Sequence, residues 1–171
     1  MKGILVFILS LLSVGIYAQA KDFTVTGSGV RVKKIAFVPV KVYSITHSMK
    51  DVPAKNAQEI INADTDKKFV LKMMRDIDAE KIGNAIKEAY SNNGYTNSGN
   101  INTISSILTG DLKEGDTITF AYNSASKTVT CTMSGKTSNV SDLNFMKATW
   151  SIWFGKIDQP DLTQSLMSRI Q

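Results

Sequence analysis

The chain has 171 residues, 43 % of them hydrophobic and 20 % charged, with a formal net charge of +5 and a single cysteine. That length fits one domain with a sizeable core. The basic excess is spread over Lys33, Lys34, Lys67, Lys68, Lys127 and Lys136 without interleaved aromatics, which argues against a nucleic-acid partner, and one cysteine excludes an internal disulfide.

The first twenty residues read as a cleaved signal peptide. Lys2 supplies a positive start, Ile4 to Ile16 an apolar run too short for a membrane span, and Ala18-Gln19-Ala20 a small-x-small cleavage site. The expected mature chain begins at Gln19 or Lys21 and is exported, to the periplasm or beyond. Loss of Lys2 lowers the charge from +5 to +4. The predicted domain covers residues 21–171. No later stretch is apolar enough to cross a bilayer, and no cysteine near the cleavage point offers a lipid attachment. No stable membrane anchor is therefore expected.

Asp22 to Thr26 reads as a short strand, followed by a glycine turn at Gly27-Ser28-Gly29. Val30 to Ile45 is β-branched throughout and forms one long strand or two. Its alternation changes phase between Val32 and Ile35, and Pro39 implies an edge, a bulge or a break. Met49 to Pro53, with His47 before it, reads as loop. Ala54 to Ala63 is a short helix. From Lys67 to Arg75 a strand puts Phe69, Leu71 and Met73 on one face and Lys68, Val70 and Lys72 on the other.

Asp78 caps the clearest helix, whose stripe is Ile82, Ala85, Ile86, Ala89 and Tyr90; Gly94 suits the left-handed position that ends it. Ile101 to Leu108 reads as another helix. Ile118, Phe120 and Tyr122, a turn at 123–127, and Val129, Cys131 and Met133 form a half-exposed hairpin. Cys131 alternates with its apolar neighbours and reads as a buried small hydrophobe. After a turn at Ser134-Gly135-Lys136, Ser141-Asp142 caps a helix carrying Leu143, Met146, Trp150, Trp153 and Phe154, stopped by Gly155. Pro160 opens a final helix through Leu162, Leu166 and Ile170. This order of elements is α+β rather than alternating βαβ.

Little of the chain has the spacing of chemistry. His47 is the only histidine and has no paired ligand, so no metal site is expected. No nucleophile elbow accompanies it, and Gly27-Ser28-Gly29 lacks the rest of a dinucleotide fingerprint. Asp76, Asp78 and Glu80 suit a helix start; Asp111, Glu114 and Asp116 suit turns. Arg31 stands out by context, as a permanent charge with a rigid fork of donors at the start of an apolar stretch. Tyr43, twelve residues on and of the same parity, offers an apolar ring with a polar tip. Unbroken alternation would put both on one face, but Pro39 and the phase change interrupt it.

Four motifs in order carry a resemblance. Gly27-x-Gly29-x-Arg31 ahead of Val38-Pro39-Val40-Lys41-Val42-Tyr43 resembles the start of chalcone isomerase-like proteins. So do Leu71-Lys72-Met73-Met74-Arg75-Asp76-Ile77-Asp78, Leu112-Lys113-x-Gly115-Asp116, and Trp150-x-Ile152-Trp153-Phe154-Gly155 followed by Asp161-Leu162. The likeness spans residues 23–170 and is greatest to the bacterial, exported branch. It implies an α+β fold in which a large antiparallel sheet is packed on one face by a layer of helices.

Plant members of that family close a flavanone ring, an arginine stabilising phenolate and enolate; related plastid proteins bind fatty acids with the same arginine on the carboxylate. Arg31 matches that arginine. Val38, Asp78, Ala85 and Ile152 stand where the enzyme has a threonine, a tyrosine, an asparagine and a second threonine. Removing one such donor costs about a hundred- to thousand-fold in rate. The expectation is thus an exported, non-catalytic binder of a small apolar anion such as a fatty acid. Arg31 would hold the carboxylate with Tyr43, and Phe37, Phe69, Ile82, Ile86 and Trp150 would line the tail. The alternatives are an intramolecular lyase or isomerase acting on an enone, with Arg31 as its electrostatic catalyst, and an interaction domain without a ligand. No cofactor is implied, and no protein partner is specified.

Overall fold

The computed structural model describes residues 22–170. The expected leader, residues 1–20, lies outside the described residues.

Six antiparallel strands form one sheet in the order β1-β2-β3-β6-β7-β8, and a two-stranded ribbon pairs β4 with β5. The strands are β1 (Thr24–Ile35), β2 (Val38–Met49), β3 (Lys67–Met73), β4 (Ile77–Asp78), β5 (Asp111–Leu112), β6 (Thr117–Asn123), β7 (Thr128–Met133) and β8 (Lys136–Ser141). The helices are α1 (Ala57–Asn62), α2 (Ala79–Asn92), α3 (Ser98–Ser105), α4 (Leu143–Phe154) and α5 (Pro160–Leu166). This is the expected α+β sheet with helices packed on it.

Alternation decides which face is covered. In β3, Lys67, Phe69, Leu71 and Met73 are buried. Their neighbours across β6 are Tyr122, Phe120 and Ile118, in register with Val129, Cys131 and Met133 of β7. Those rows meet α4, where Phe145, Met146, Trp150 and Trp153 are buried. Phe69 packs 4.5 Å from Trp153 and 5.3 Å from Trp150 between ring centroids. Fully burying a side chain such as Phe69 contributes about 1.5–3 kcal/mol. The opposite face carries the lysines and threonines, Lys72 and Thr117 among them.

The helix ends follow local chemistry. Asp78 accepts a hydrogen bond from the Glu80 N–H, and Asp142 one from Asn144, so both expected caps form. Gly94 takes φ +81°, as the end of α2 requires. Pro160 sits in the first turn of α5, which ends at Leu166 rather than running to Ile170.

The structure departs from the sequence reading at several elements and decides between its alternatives at one. Gly27-Ser28-Gly29 is not a turn: it lies within β1, pairing with His47, Thr46 and Ile45. The glycines are there for space. A Cβ on Gly27 would lie 2.2 Å from the Ser165 carbonyl oxygen, and one on Gly29 2.6 Å from Leu162 Cδ1. The long β-branched stretch is two strands, turned at Ala36-Phe37, both in the left-handed region. β8 was not anticipated, because Lys136–Ser141 has a polar outer face and only one apolar residue, Val140, on its inner face. His47 is not a loop residue; it is a fully buried member of β2.

Candidate functional site

Arg31 and Tyr43 are direct cross-strand partners in the β1–β2 hairpin. They face each other across two antiparallel strands, not along one. The pairing shifts by a residue between Arg31 and Val32, a bulge that re-aims the strand. Both side chains turn to the helix-covered face, and both residues are 8 % exposed.

They line a cavity of about 350 Å³ between the β1–β2 hairpin, β3, α2 and the C-terminal end of α4. Its walls are largely apolar: Leu71, Ile82, Ile86, Ile152 and Trp153 are among the lining residues, with Ile77, Ala85 and Ile157. Lys33, Lys81, Glu88, Lys156 and Asp158 are its charged margin. A shallower, more polar hollow adjoins it through Ile35, Val42, Ile77 and Lys81, and there Asp78 lies beside Arg75 and Asp76.

Arg31 is held from the loop after α4. Its Nη2 donates to Asp158 Oδ1 at 2.5 Å and its Nη1 to Gln159 Oε1 at 3.3 Å. Gln159 also grips the free edge of β1, accepting from Val32 N–H and donating to the Val30 carbonyl. Lys33 Nζ donates to the other oxygen of Asp158 at 2.8 Å. Partial burial raises the Asp158 pKa, but hydrogen bonds from Lys33 and Arg31 outweigh it and keep the group below the ordinary carboxylate value. Asp158 therefore stays ionised near neutrality, with its side chain 58 % exposed.

The Tyr43 hydroxyl accepts a hydrogen bond from Trp153 Nε1–H at 3.1 Å. Its own proton has no acceptor among the described residues, so it remains available to a carboxylate or carbonyl. Burial raises the Tyr43 pKa against the opposing effects of Trp153 and Arg31, so the phenol is neutral.

The sequence-predicted residues divide. Arg31, Tyr43, Ile82 and Ile86 come together around the cavity. Phe37 does not: it is 97 % exposed, because the hairpin turn carries it to the tip. Phe69 and Trp150 do not line the cavity either. Both are completely buried in the core beneath the middle of α4, where alternation and helical periodicity direct them. Trp153, three residues after Trp150, is the tryptophan that reaches the cavity. Asp158 was missed. It lies 127 residues from Arg31 in sequence, and no local spacing could pair them.

His47 belongs to a separate buried chain. Trp150 Nε1–H donates to His47 Nε2 at 2.9 Å, which places the ring proton on Nδ1, 2.6 Å from Thr26 Oγ1. Thr26 Oγ1 in turn donates to the Leu166 carbonyl. Burial, reinforced by the charge of Lys67, lowers the His47 pKa to about 3. Lys67 is itself fully buried; its Nζ donates to the Ile60 and Ile61 carbonyls at the end of α1 and lies 4.8 Å from the Trp150 ring centroid. These groups fasten elements together and stand apart from the cavity. Among the described residues, no group of three or more His, Cys, Asp or Glu side chains could hold a metal ion, and no helix is long and apolar enough to cross a membrane.

The chain belongs to the chalcone isomerase-like family, whose model matches residues 13–167. Among solved structures it is similar to a fatty-acid binding protein of Arabidopsis thaliana, with a TM-score of 0.69 and 12 % identity over 85 % of this chain and 86 % of that one. No curated protein sequence matches the chain.

Proposed function

We propose that this is an exported binding protein for a small apolar anion, a fatty acid in the simplest case. One observation carries the reading: a buried arginine and a buried tyrosine with an undonated proton face each other in the wall of a largely apolar cavity. A guanidinium has five N–H donors, and Asp158 and Gln159 engage two of its nitrogens. A ligand carboxylate would displace Asp158, which keeps Lys33 and water as partners, and would accept from Arg31 and from the Tyr43 hydroxyl. The tail would run along Leu71, Ile82, Ile86 and Trp153. The cavity volume falls at the lower end of the roughly 300–1,000 Å³ usual for small-molecule sites. The fold is shared with a protein that binds fatty acids.

The cavity walls favour binding over ring closure. Ala85 and Ile152, at positions where the enzymes carry an amide and a hydroxyl, line the cavity and offer no donor. Val38 is 60 % exposed on the hairpin, away from it.

Titration of palmitate by calorimetry tests the site. Wild-type protein should bind, and Arg31→Gln should weaken binding by about 10- to 150-fold, the equivalent of roughly 1.5–3 kcal/mol for a charge-assisted hydrogen bond. Tyr43→Phe should cost about five-fold. Equal affinity in Arg31→Gln would remove the anchor from the mechanism; absence of binding to any fatty acid would end the reading. Export has its own test. Protein recovered from the periplasm or medium should begin at Gln19 or Lys21, and mature protein retaining Met1 inside the cell would contradict it.

A further inference from the structure

The β1–β2 hairpin ends in Ile35-Ala36-Phe37-Val38. Phe37 is 97 % exposed, Val38 60 % and Ile35 58 %. Ala36 and Phe37 have φ +47° and +70°, a conformation that glycine or asparagine adopts at less cost in a two-residue hairpin turn. A bulky aromatic held there in water contributes nothing to the packing of its own chain. Backbone outliers of this kind motivate a search for a function.

Position and charge point to the partner. β3 joins β2 only from Tyr43 onward, and Met74 N–H bonds the Val42 carbonyl, so Val38–Lys41 pairs with β1 alone and the tip projects past the sheet. Phe23 to Lys50 contains no acidic residue, while the hairpin carries Lys33, Lys34 and Lys41. Lys33, Ile35 and Val42 of the same hairpin also line the cavity.

We propose that this hairpin docks the protein reversibly on an anionic lipid surface. Phe37, with Ile35 and Val38, enters the interfacial layer, where aromatic rings reside, and Lys34 and Lys41 meet the headgroups while Lys33 stays paired with Asp158. A second copy of the chain would match the apolar tip but not its charge, since two uniformly basic hairpins repel. The proposal deepens the fatty-acid reading: docking sets the cavity wall beside the lipid from which an acyl chain would enter.

The test places an environment-sensitive fluorophore at Phe37→Cys, and at Ala125→Cys in the β6–β7 turn at the opposite end of the sheet. The native Cys131 is buried and does not compete for the label. With vesicles of phosphatidylcholine and phosphatidylglycerol, the label at 37 should shift to the blue and brighten, and the label at 125 should not. Phosphatidylcholine alone should give a weaker change. Lys34→Gln with Lys41→Gln should lower vesicle affinity by about five-fold per lysine, and added salt should do likewise. An unchanged label at 37 would overturn the proposal, as would equal shifts at both positions. A shift that grows with protein concentration without vesicles would replace the lipid surface by a second copy. Palmitate binding in lipid-free buffer separates this idea from the one beneath it. Phe37→Ser should lose vesicle docking and keep palmitate affinity; intact docking with no palmitate binding would sink the fatty-acid reading alone.

Discussion

Arg31 is not idle in the absence of a ligand: its partner is Asp158, a half-exposed carboxylate also held by Lys33. A bound carboxylate must compete with it. Asp158→Asn should therefore raise palmitate affinity, by up to about five-fold given the modest worth of exposed ion pairs; a fall in affinity would show that Asp158 supports the bound state. His47 gives a second prediction. Its pKa in the folded protein is lowered to about 3, against about 6.5 when unfolded. Between those values the unfolded chain binds the extra proton, so stability is complete above about pH 6.5 and is lost as pH falls toward 3, by up to about 1.4 kcal/mol per unit. Denaturant melts across that window should show the slope, and His47→Gln should flatten it; a slope unchanged in His47→Gln would assign it elsewhere. Neither partner of these residues was legible in the sequence. Asp158 and Trp150 reach Arg31 and His47 only through the tertiary fold, and His47 next to a predicted loop gave no sign of burial.

At the scale of elements, the β1–β2 hairpin brings most of the site together, and α5 fixes it. Gly27 and Gly29 let α5 approach β1 so closely that a side chain at Gly27 would overlap the α5 backbone. Gly27→Ala should thus destabilise by about 1–3 kcal/mol as an overpacked contact, and Gly29→Ala by less, because it meets the movable end of Leu162. Chemical denaturation of the two variants measures the difference; equal, negligible losses would show that α5 yields without cost. The sequence held a glycine signal here that fits two structures, a turn or a close approach, and only the helix 130 and more residues later decides between them. The opposite case is Ala36-Phe37, a tight turn written without glycine, asparagine or proline, which is why one long β stretch and two strands looked equally good. The helices of α2 and α4 were legible to their caps because caps and periodicity are local.

For the whole molecule, the covered face of the sheet could be read from alternation in β3, β6 and β7, while β8 could not, since an edge strand with a polar outer face carries no strong pattern. The cavity was legible only in part: the family resemblance pointed to Arg31, Tyr43, Ile82 and Ile86, which do line it, but periodicity selects buried residues alone, and Phe69 and Trp150 satisfy it equally without bordering the cavity. If that space holds a fatty acid, saturation at a hundred times the dissociation constant should add about 2.7 kcal/mol of stability, raising the melting temperature by roughly 5–10 °C for a chain of this size. Differential scanning calorimetry with and without palmitate reads this directly, and no shift at saturating ligand would contradict binding to the folded state. The bond from Thr26 to the Leu166 carbonyl spans 140 residues, and Arg169 N–H also reaches the Thr26 carbonyl. The first strand is thus secured by the last helix. A ribosome must pass Arg169 before that closure exists, and contacts so distant form late and slowly. Until then the first strand has no latch, and removing Leu166 and the residues after it should leave it without one.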